Sequence, residues 1–178
     1  KYLILSIIIL SLSSCNSEKG SNSIFIQGGG TLDDWANLSK YDESNKKLMN
    51  VIDENRVVFM GNSITEGWSN FDPDFFIDNP YVNRGISGQT TPQMLIRFKP
   101  DVVNLKPKSV VILAGINDIA GNTGPMKIEN IAENIFSMTE IALANNIEVF
   151  ICSVLPAKAF PWSPSIKNVA KKVIKLNS

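Results

Sequence analysis

A short apolar run ends in glycine and is followed by two residues of the kind that begin helices. Residues 57–60, Val-Val-Phe-Met, are typical of a buried strand in a parallel sheet. Gly61 ends that strand, and Asn62 and Ser63 stand where a helix begins. A serine at such a turn lies at the carboxyl edge of the sheet, where open α/β sheets bind ligands. Its N–H is one of the unpaired donors of the helix. A second interpretation is that Ser63 only caps the helix.

Two further strands are predicted to end at the same edge. Residues 81–83 are a short strand that leads into Arg-Gly-Ile-Ser-Gly, and residues 109–114 are a buried strand that leads into Gly-Ile-Asn-Asp. A fourth strand is predicted over residues 147–154, after an amphipathic helix at residues 128–144. Strands that alternate with helices in this way predict a three-layer α/β/α sandwich with a parallel sheet.

The other helices are predicted from capping residues and from the spacing of apolar side chains. A helix is expected over residues 33–49, Thr91 caps the next one, which is interrupted near Pro100, and Ser165 caps the last. Residues 70–80 hold two prolines and three phenylalanines. They are predicted to form a loop whose aromatic side chains pack in the core, with the lining of a ligand pocket as the alternative.

Three short blocks at these strand ends resemble, in the same order, those of the GDSL, or SGNH, hydrolases. Gly61-Asn-Ser-Ile resembles the nucleophile block, with Asn62 where that family usually has aspartate. Asn83-Arg-Gly-Ile-Ser-Gly-Gln-Thr resembles the second block, and Ala114-Gly-Ile-Asn-Asp resembles the third, Gly-x-Asn-Asp. The resemblance implies the flavodoxin-like strand order of that family and the activity of an esterase or acylhydrolase.

The resemblance also implies a role for three residues. Ser63 would be the nucleophile that forms an acyl-enzyme. The oxyanion would be held by the N–H of Ser63, the N–H of Gly88 and the side-chain amide of Asn117. Taken alone, Gly88 could be a plain turn glycine and Asn117 a turn residue. The implied substrates are acyl or acetyl esters, of carbohydrates first and of lipids second.

The fourth block of that family, Asp-x-x-His, is absent, and the 178 residues contain no histidine. We therefore expect the sequence to stop before the last strand and helix of the fold, with the catalytic base in the segment that would follow. Two other functions stay open. One is a catalytically inactive surface protein on the same fold that binds carbohydrate or acts as a scaffold. The other is a phosphate or nucleotide binder that uses the turn at residues 61–63 as an anion site.

The first residues are typical of an exported lipoprotein. A lysine precedes an apolar stretch of about ten residues, as in a secretory signal, and the stretch is shorter than the ~20 residues of a transmembrane helix. The following Leu-Ser-Ser-Cys15 resembles a bacterial lipobox. We predict a lipoprotein signal peptide over residues 1–15 with Cys15 lipidated, a flexible tether over residues 16–30 and the hydrolase domain over residues 31–178. An ordinary signal peptide is the alternative.

Composition excludes some partners. The 17 basic and 17 acidic side chains give no net charge, which is unlike the basic surface that nucleic-acid binding needs. Neither a metal-ligand spacing nor a glycine-rich dinucleotide fingerprint occurs, so we expect neither cofactor nor metal. The expected partners are a small-molecule or carbohydrate ester and the membrane, on its periplasmic or cell-surface side, through the lipid. Cys152 lies in an apolar segment and is predicted to be a buried, unreactive thiol.

Overall fold

A parallel sheet of four strands organises the residues that the structure describes. The structure is a computed structural model, and it describes residues 26–178. Within them the strand order is β2-β1-β3-β4, and each pair of neighbours is parallel. The strands are β1 (Val57–Gly61), β2 (Tyr81–Gly85), β3 (Ser109–Leu113) and β4 (Glu148–Ile151).

Helices cover both faces of this sheet. In residues 26–178 they are α1 (Asp42–Met49), α2 (Ser63–Phe71), α3 (Pro73–Ile77), α4 (Thr91–Asp101), α5 (Ile116–Ile119), α6 (Ile128–Ala144) and α7 (Val169–Asn177). Helices α4 and α7 both contact α6, whereas α2 and α3 contact each other and β2. This arrangement confirms the predicted α/β/α fold with a parallel, flavodoxin-like sheet. None of these helices is both long enough and apolar enough to cross a membrane.

The two faces of β1 pack against different side chains. Val58 and Met60 are fully buried in the main core with the inner sides of α4 and α6. Phe59 points to the opposite face and meets an aromatic cluster with ring centroids 5.3–5.7 Å away, formed by Trp68, Phe75, Phe76 and Tyr81. Aromatic pairs at this spacing each contribute about 0.5–1.5 kcal/mol beyond their buried area. Phe75 and Phe76 from residues 70–80 therefore pack against the sheet, but they are half-buried in this aromatic cluster and do not lie in the main core as predicted.

The loop predicted over residues 70–80 contains a helix, and that part of the prediction is wrong. Asp72 accepts a hydrogen bond from the N–H of Phe75 at 3.3 Å, and Pro73 is the first residue of α3. An acidic cap followed by proline is a helix start as well as a turn signal. The third phenylalanine, Phe71, is 91% exposed because it ends α2 on the outer side.

The helix predicted over residues 33–49 begins later than expected. The carboxylate of Asp34 accepts hydrogen bonds from the N–H groups of Leu38 and Ser39 at 2.7 and 2.9 Å. It thereby caps a 3-10 turn at Leu38–Tyr41, and the α-helix starts only at Asp42. Residues 26–37, before this turn, are extended or turning, and they pack on the domain.

Other boundaries also differ from the prediction. The cap of α4 is Thr90, whose N–H donates to the Gln93 side chain at 3.1 Å, and α4 continues through Pro100, because proline in a last turn removes only one hydrogen bond. Helix α7 begins at Val169 and not just after residue 165. Strand β4 ends before Cys152, which is consequently half-buried and not fully buried as predicted.

Candidate active site

Three strand ends lie side by side at the carboxyl edge of the sheet. The register pairs Gly61 at the end of β1 with Gly85 of β2 and with Leu113 of β3. The chain after β2 stays beside β1, since the N–H of Ile86 donates to the Gly61 carbonyl at 3.0 Å. The segments that follow the three strands carry the predicted site residues, Ser63, Gly88 and Asn117. The fold therefore brings all three to one edge.

Ser63 is the first residue of α2, and Asn62 is its cap. The Asn62 side-chain oxygen accepts the N–H of Ile64 at 3.0 Å, so the capping role falls to the asparagine. Ser63 is exposed, and its hydroxyl makes no hydrogen bond to any residue of the described part of the chain. The close turn before it requires glycine, because a Cβ on Gly61 would lie 2.0 Å from the Thr65 hydroxyl. The Ser63 hydroxyl is therefore free and lies at the N-terminus of α2.

Asn62 also buries a donor without a partner. The residue is 1% exposed, and its Nδ2 has no hydrogen-bond acceptor within residues 26–178. A buried unsatisfied donor costs about 1–3 kcal/mol. The sequence shows only that Asn62 stands where the family usually has aspartate. The unpaired Nδ2 of Asn62 is visible only in the structure.

Gly88 has a backbone conformation that favours glycine. Its φ is +80°, and its carbonyl accepts the Asn122 side-chain amide at 3.0 Å. Asn117 lies in α5, is 6% exposed, and donates from Nδ2 to the Gln89 carbonyl at 2.9 Å. Because an amide nitrogen carries two hydrogens, one donor of Asn117 remains after this bond. The third strand end is thus tied directly to the loop that carries Gly88.

A buried arginine, which sequence reasoning missed, holds two strand ends and this loop together. Arg97 of α4 donates to the carbonyls of Gly61 and Arg84 at 3.2 and 2.9 Å and to the Gln89 side chain at 2.5 Å. It also pairs with Asp101 at 2.9 Å, and both side chains are at most 1% exposed. Burial lowers the pKa of Arg97, and the charge of Asp101 opposes that effect. The sequence does contain one sign of this pair. Arg97 and Asp101 are four residues apart, so they lie on the same side of a helix whose apolar side chains face the core.

Replacing Arg97 with leucine is expected to reduce the free energy of unfolding by about 3–5 kcal/mol, because the buried Asp101 carboxylate loses its ion-pair partner and the carbonyls of Gly61 and Arg84 each lose one hydrogen bond. Urea unfolding followed by circular dichroism measures the change. The matched control is Lys46→Leu, which removes exposed ion pairs to Asp42 and Glu43 and should leave the unfolding midpoint almost unchanged. Equal midpoints for Arg97→Leu and the wild type would contradict this assignment.

Two carboxylates near the site, those of Glu66 and Asp118, already accept hydrogen bonds from other groups. Partial burial raises the pKa of Glu66, but hydrogen bonds from Lys40 and Ser87 outweigh it and hold the pKa below its usual value. Burial raises the pKa of Asp118, although its carboxylate accepts the N–H and the hydroxyl of Thr91 at 2.9 and 2.6 Å. The aspartate of the third block therefore holds the start of α4, a role that the motif did not predict.

The chain before α1 packs against the loop after β2. Gln93 donates to the carbonyls of Gln27 and Trp35, both at 2.9 Å, and Gln89 donates to the Ala36 carbonyl at 2.7 Å. Residues 26–30, the end of the predicted tether, thus contact the packed domain, because the Gln27 carbonyl accepts a hydrogen bond from the buried Gln93 side chain. The rest of the tether and Cys15 lie outside the described residues.

A groove of about 360 Å³ lies between this segment and the loop after β2. Ile86 is its one large apolar residue, and most of the other side chains that border it are polar. The groove is lined by Gln27, Gly28, Gly29, Asn37, Lys40, Glu66, Ile86, Ser87 and Gly88. Of the three candidate site residues, Gly88 lines this groove, whereas Ser63 and Asn117 are not among its lining residues.

The parallel sheet, its flanking helices and the residues at the three strand ends together have the SGNH hydrolase fold. Residues 59–177 match the GDSL-like Lipase/Acylhydrolase family, and the chain belongs to that family. The resemblance found in the three sequence blocks is thereby confirmed.

Two solved structures from Bacteroides are similar to the chain. A GDSL-like lipase of Bacteroides thetaiotaomicron VPI-5482 is 52% identical, with a TM-score of 0.77 over 80% of this chain and 70% of that one. A protein of Bacteroides fragilis NCTC 9343 assigned as an acylhydrolase is 51% identical, with a TM-score of 0.76 over 80% and 69% of the two chains.

A curated relative matches a shorter stretch. The uncharacterized lipoprotein YqeF of Bacillus subtilis (strain 168) is 33% identical over 78 residues, which is 42% of this chain. The match spans 32% of the length of that relative.

Proposed function

We propose that the protein is a serine ester hydrolase that acts through an acyl-enzyme. The observation that carries this proposal is the exposed, unbonded hydroxyl of Ser63 at the N-terminus of α2, on the same edge of the sheet as the Gly88 loop and Asn117. A helix N-terminus favours negative charge, so a tetrahedral oxyanion formed next to Ser63 is stabilised there. The membership of the chain in a family of lipases and acylhydrolases supports the same chemistry.

In the proposed reaction the Ser63 oxygen attacks the ester carbonyl, the alcohol leaves, and an acyl-serine remains. The N–H groups of Ser63 and Gly88 and the free amide hydrogen of Asn117 hold the developing oxyanion. A base must accept the hydroxyl proton of Ser63. None of the 178 residues is histidine, and the carboxylates of Glu66 and Asp118 are bound by other groups. In this proposal Ser63, Gly88 and Asn117 provide the nucleophile and the oxyanion donors, and neither of these two carboxylates is free to act as the base.

The groove beside Gly88 supports a substrate with a small acyl group on a polar molecule. Side chains that accept and donate hydrogen bonds, among them Gln27, Asn37 and Lys40, border it. Hydroxyl groups of a sugar make such bonds. We propose acetylated or otherwise acylated carbohydrates as the first substrate class and lipid esters as the second.

Acylation of Ser63 by two activated esters tests this proposal. The 178-residue chain and its Ser63→Ala variant are each incubated with p-nitrophenyl acetate and with p-nitrophenyl octanoate, and p-nitrophenolate release is followed to one equivalent. Ser63-dependent release should be faster with the acetate. Faster release with the octanoate would reverse the order of substrate classes, and release that is equal in Ser63→Ala would overturn the proposed reaction.

The absence of histidine among the 178 residues favours one competing function, a carbohydrate-binding or scaffold protein that uses the same groove without catalysis. The two functions differ in one observable. A binding protein should take up acetylated xylo-oligosaccharides, measured by calorimetry, with equal affinity in the wild type and in Ser63→Ala, and no acyl group should ever become attached to Ser63.

We propose further that the protein is an exported lipoprotein anchored to the membrane through Cys15. The lipobox-like Leu-Ser-Ser-Cys sequence supports this, and so does the match to a relative that is named a lipoprotein. In this arrangement the hydrolase domain acts on the periplasmic or cell-surface side. The lipid attached covalently to the Cys15 thiol would hold the protein at the membrane.

Replacing Cys15 with serine should abolish labelling of the protein by a radioactive fatty acid, because the hydroxyl cannot form the lipid thioether. The protein is expressed in a bacterial host with its first residues intact, and labelling and membrane fractionation are measured together. The matched control is Cys152→Ser, which should label like the wild type. Undiminished labelling of Cys15→Ser would refute the lipoprotein proposal.

A further inference from the structure

Glu66 joins the helix that carries Ser63 to the loop that carries Gly88. Its Oε2 accepts the N–H of Ser87 at 2.7 Å and also the Ser87 hydroxyl, and its Oε1 accepts the Lys40 ammonium at 2.5 Å. Glu66 lies one turn after Ser63 in α2, and Ser87 directly precedes Gly88. One carboxylate therefore connects the two segments that hold two of the three candidate oxyanion donors.

The backbone at this point is also in close contact. A Cβ on Gly85, the last residue of β2, would lie 2.1 Å from the backbone nitrogen of Glu66, so α2 rests directly on the end of β2. From there the Glu66 side chain reaches the residues that follow. Its side chain is 26% exposed, compared with 81% for Glu43, which forms only a surface ion pair. Two of the three contacts of the Glu66 carboxylate are to the loop, which distinguishes it from an ordinary surface salt bridge.

We propose that Glu66 is a positioning residue that fixes the Ser87–Gly88 loop against α2 and so sets the distance between Ser63 and the Gly88 N–H. This inference rests on the proposed esterase function. Oxyanion donors act only when they are held in place before the reaction, and a displacement of about 1 Å can slow a reaction 10²-fold. The loop has a positive φ at Gly88 and an exposed residue at Ser87, so the polar contacts of Ser87 contribute to holding it.

The experiment measures the loop and the reaction separately. Amide hydrogen exchange, followed by NMR on the 178-residue chain, reports the Ser87 N–H in the wild type, Glu66→Gln and Glu66→Ala. We expect Ser87 exchange to be about ten-fold or more faster in Glu66→Ala, with Glu66→Gln between, because glutamine keeps one neutral acceptor. Exchange at Val110, in the core of the sheet, serves as the reference for global unfolding.

Two further variants separate this role from a general effect of charge. Glu43→Ala removes a glutamate from an ion pair on α1 and should leave Ser87 exchange as in the wild type. Lys40→Ala removes the ion pair of Glu66 but keeps both contacts to Ser87, and should change the exchange less than Glu66→Ala does. Unchanged Ser87 exchange in Glu66→Ala, or an equal increase in Glu43→Ala, would overturn the proposal.

The second readout is the rate at which p-nitrophenyl acetate acylates Ser63. In Glu66→Ala we expect this rate to fall by about 10- to 100-fold. Faster exchange at Ser87 with an unaltered acylation rate would overturn the positioning role. If the wild type shows no acylation of Ser63 while Ser87 exchange responds as expected, the contact between α2 and the loop stands and the proposed esterase function fails. The two failures are therefore distinguishable.

Discussion

Replacing Asn117 with alanine is expected to slow the acylation of Ser63 by about 10²–10³-fold, which corresponds to roughly 2.7–4 kcal/mol of lost transition-state stabilisation. The reason is that one preorganised donor to the developing oxyanion disappears. Substrate affinity should hardly change, because this donor engages the oxyanion more strongly than the ground-state carbonyl. The single-turnover rate at a series of p-nitrophenyl acetate concentrations yields both quantities.

The matched control for this prediction is Asn122→Ala. Asn122 has the same side chain and also bonds to the Gly88 loop, through the Gly88 carbonyl, but it follows α5 and is not placed in the oxyanion hole. It should slow acylation less than ten-fold. Both variants lose one hydrogen bond to a backbone carbonyl, so their melting temperatures should fall by similar amounts. A loss of stability in Asn117→Ala with an unaltered acylation rate would make it a purely structural residue.

The second large effect concerns turnover. The 178-residue chain is expected to show negligible steady-state hydrolysis of p-nitrophenyl acetate, because no histidine is available to accept the Ser63 proton or to activate water. Loss of the triad lowers kcat on the order of 10⁶-fold in a serine hydrolase and leaves about 10³–10⁴ over water. We therefore expect slow release of one equivalent of p-nitrophenolate per chain.

The comparison protein for this measurement is a GDSL family member whose serine has a histidine partner. Sustained turnover by the 178-residue chain near the rate of that protein would contradict this expectation, because it would require a base other than histidine. Release beyond one equivalent in both the wild type and Ser63→Ala would show that the reaction occurs elsewhere on the protein.

The regular parts of the fold could be predicted from local pattern. Helix α6 was predicted at residues 128–144, and the structure has it at Ile128–Ala144. Strands β1 and β3 were each predicted to within a residue, because an apolar run bounded by a charged or polar residue and glycine has few alternatives. The packing of residues 26–36 could not be predicted, since it depends on the side chains of Gln89 and Gln93, which are distant in sequence.

At the candidate site, too, local sequence patterns were predictive, whereas contacts between residues distant in sequence could not be predicted. Motifs located Ser63, Gly88 and Asn117, and parallel strand ends explain why they lie at one edge. The residues that hold this edge together, Arg97 and Glu66, belong to no motif. Their partners are backbone carbonyls, a backbone N–H and side chains from other elements, and such contacts appear only when the chain is folded.

Mapping the acyl group after reaction with p-nitrophenyl acetate tests the central claim, that Ser63 is the nucleophile. The wild type, Ser63→Ala and Ser69→Ala, which alters another serine of α2, are treated alike, digested and analysed by tandem mass spectrometry. We expect one acetyl group on Ser63 in the wild type and in Ser69→Ala, and none at this position in Ser63→Ala. An unmodified Ser63 in the wild type, with equal p-nitrophenolate release from all three proteins, would contradict this claim.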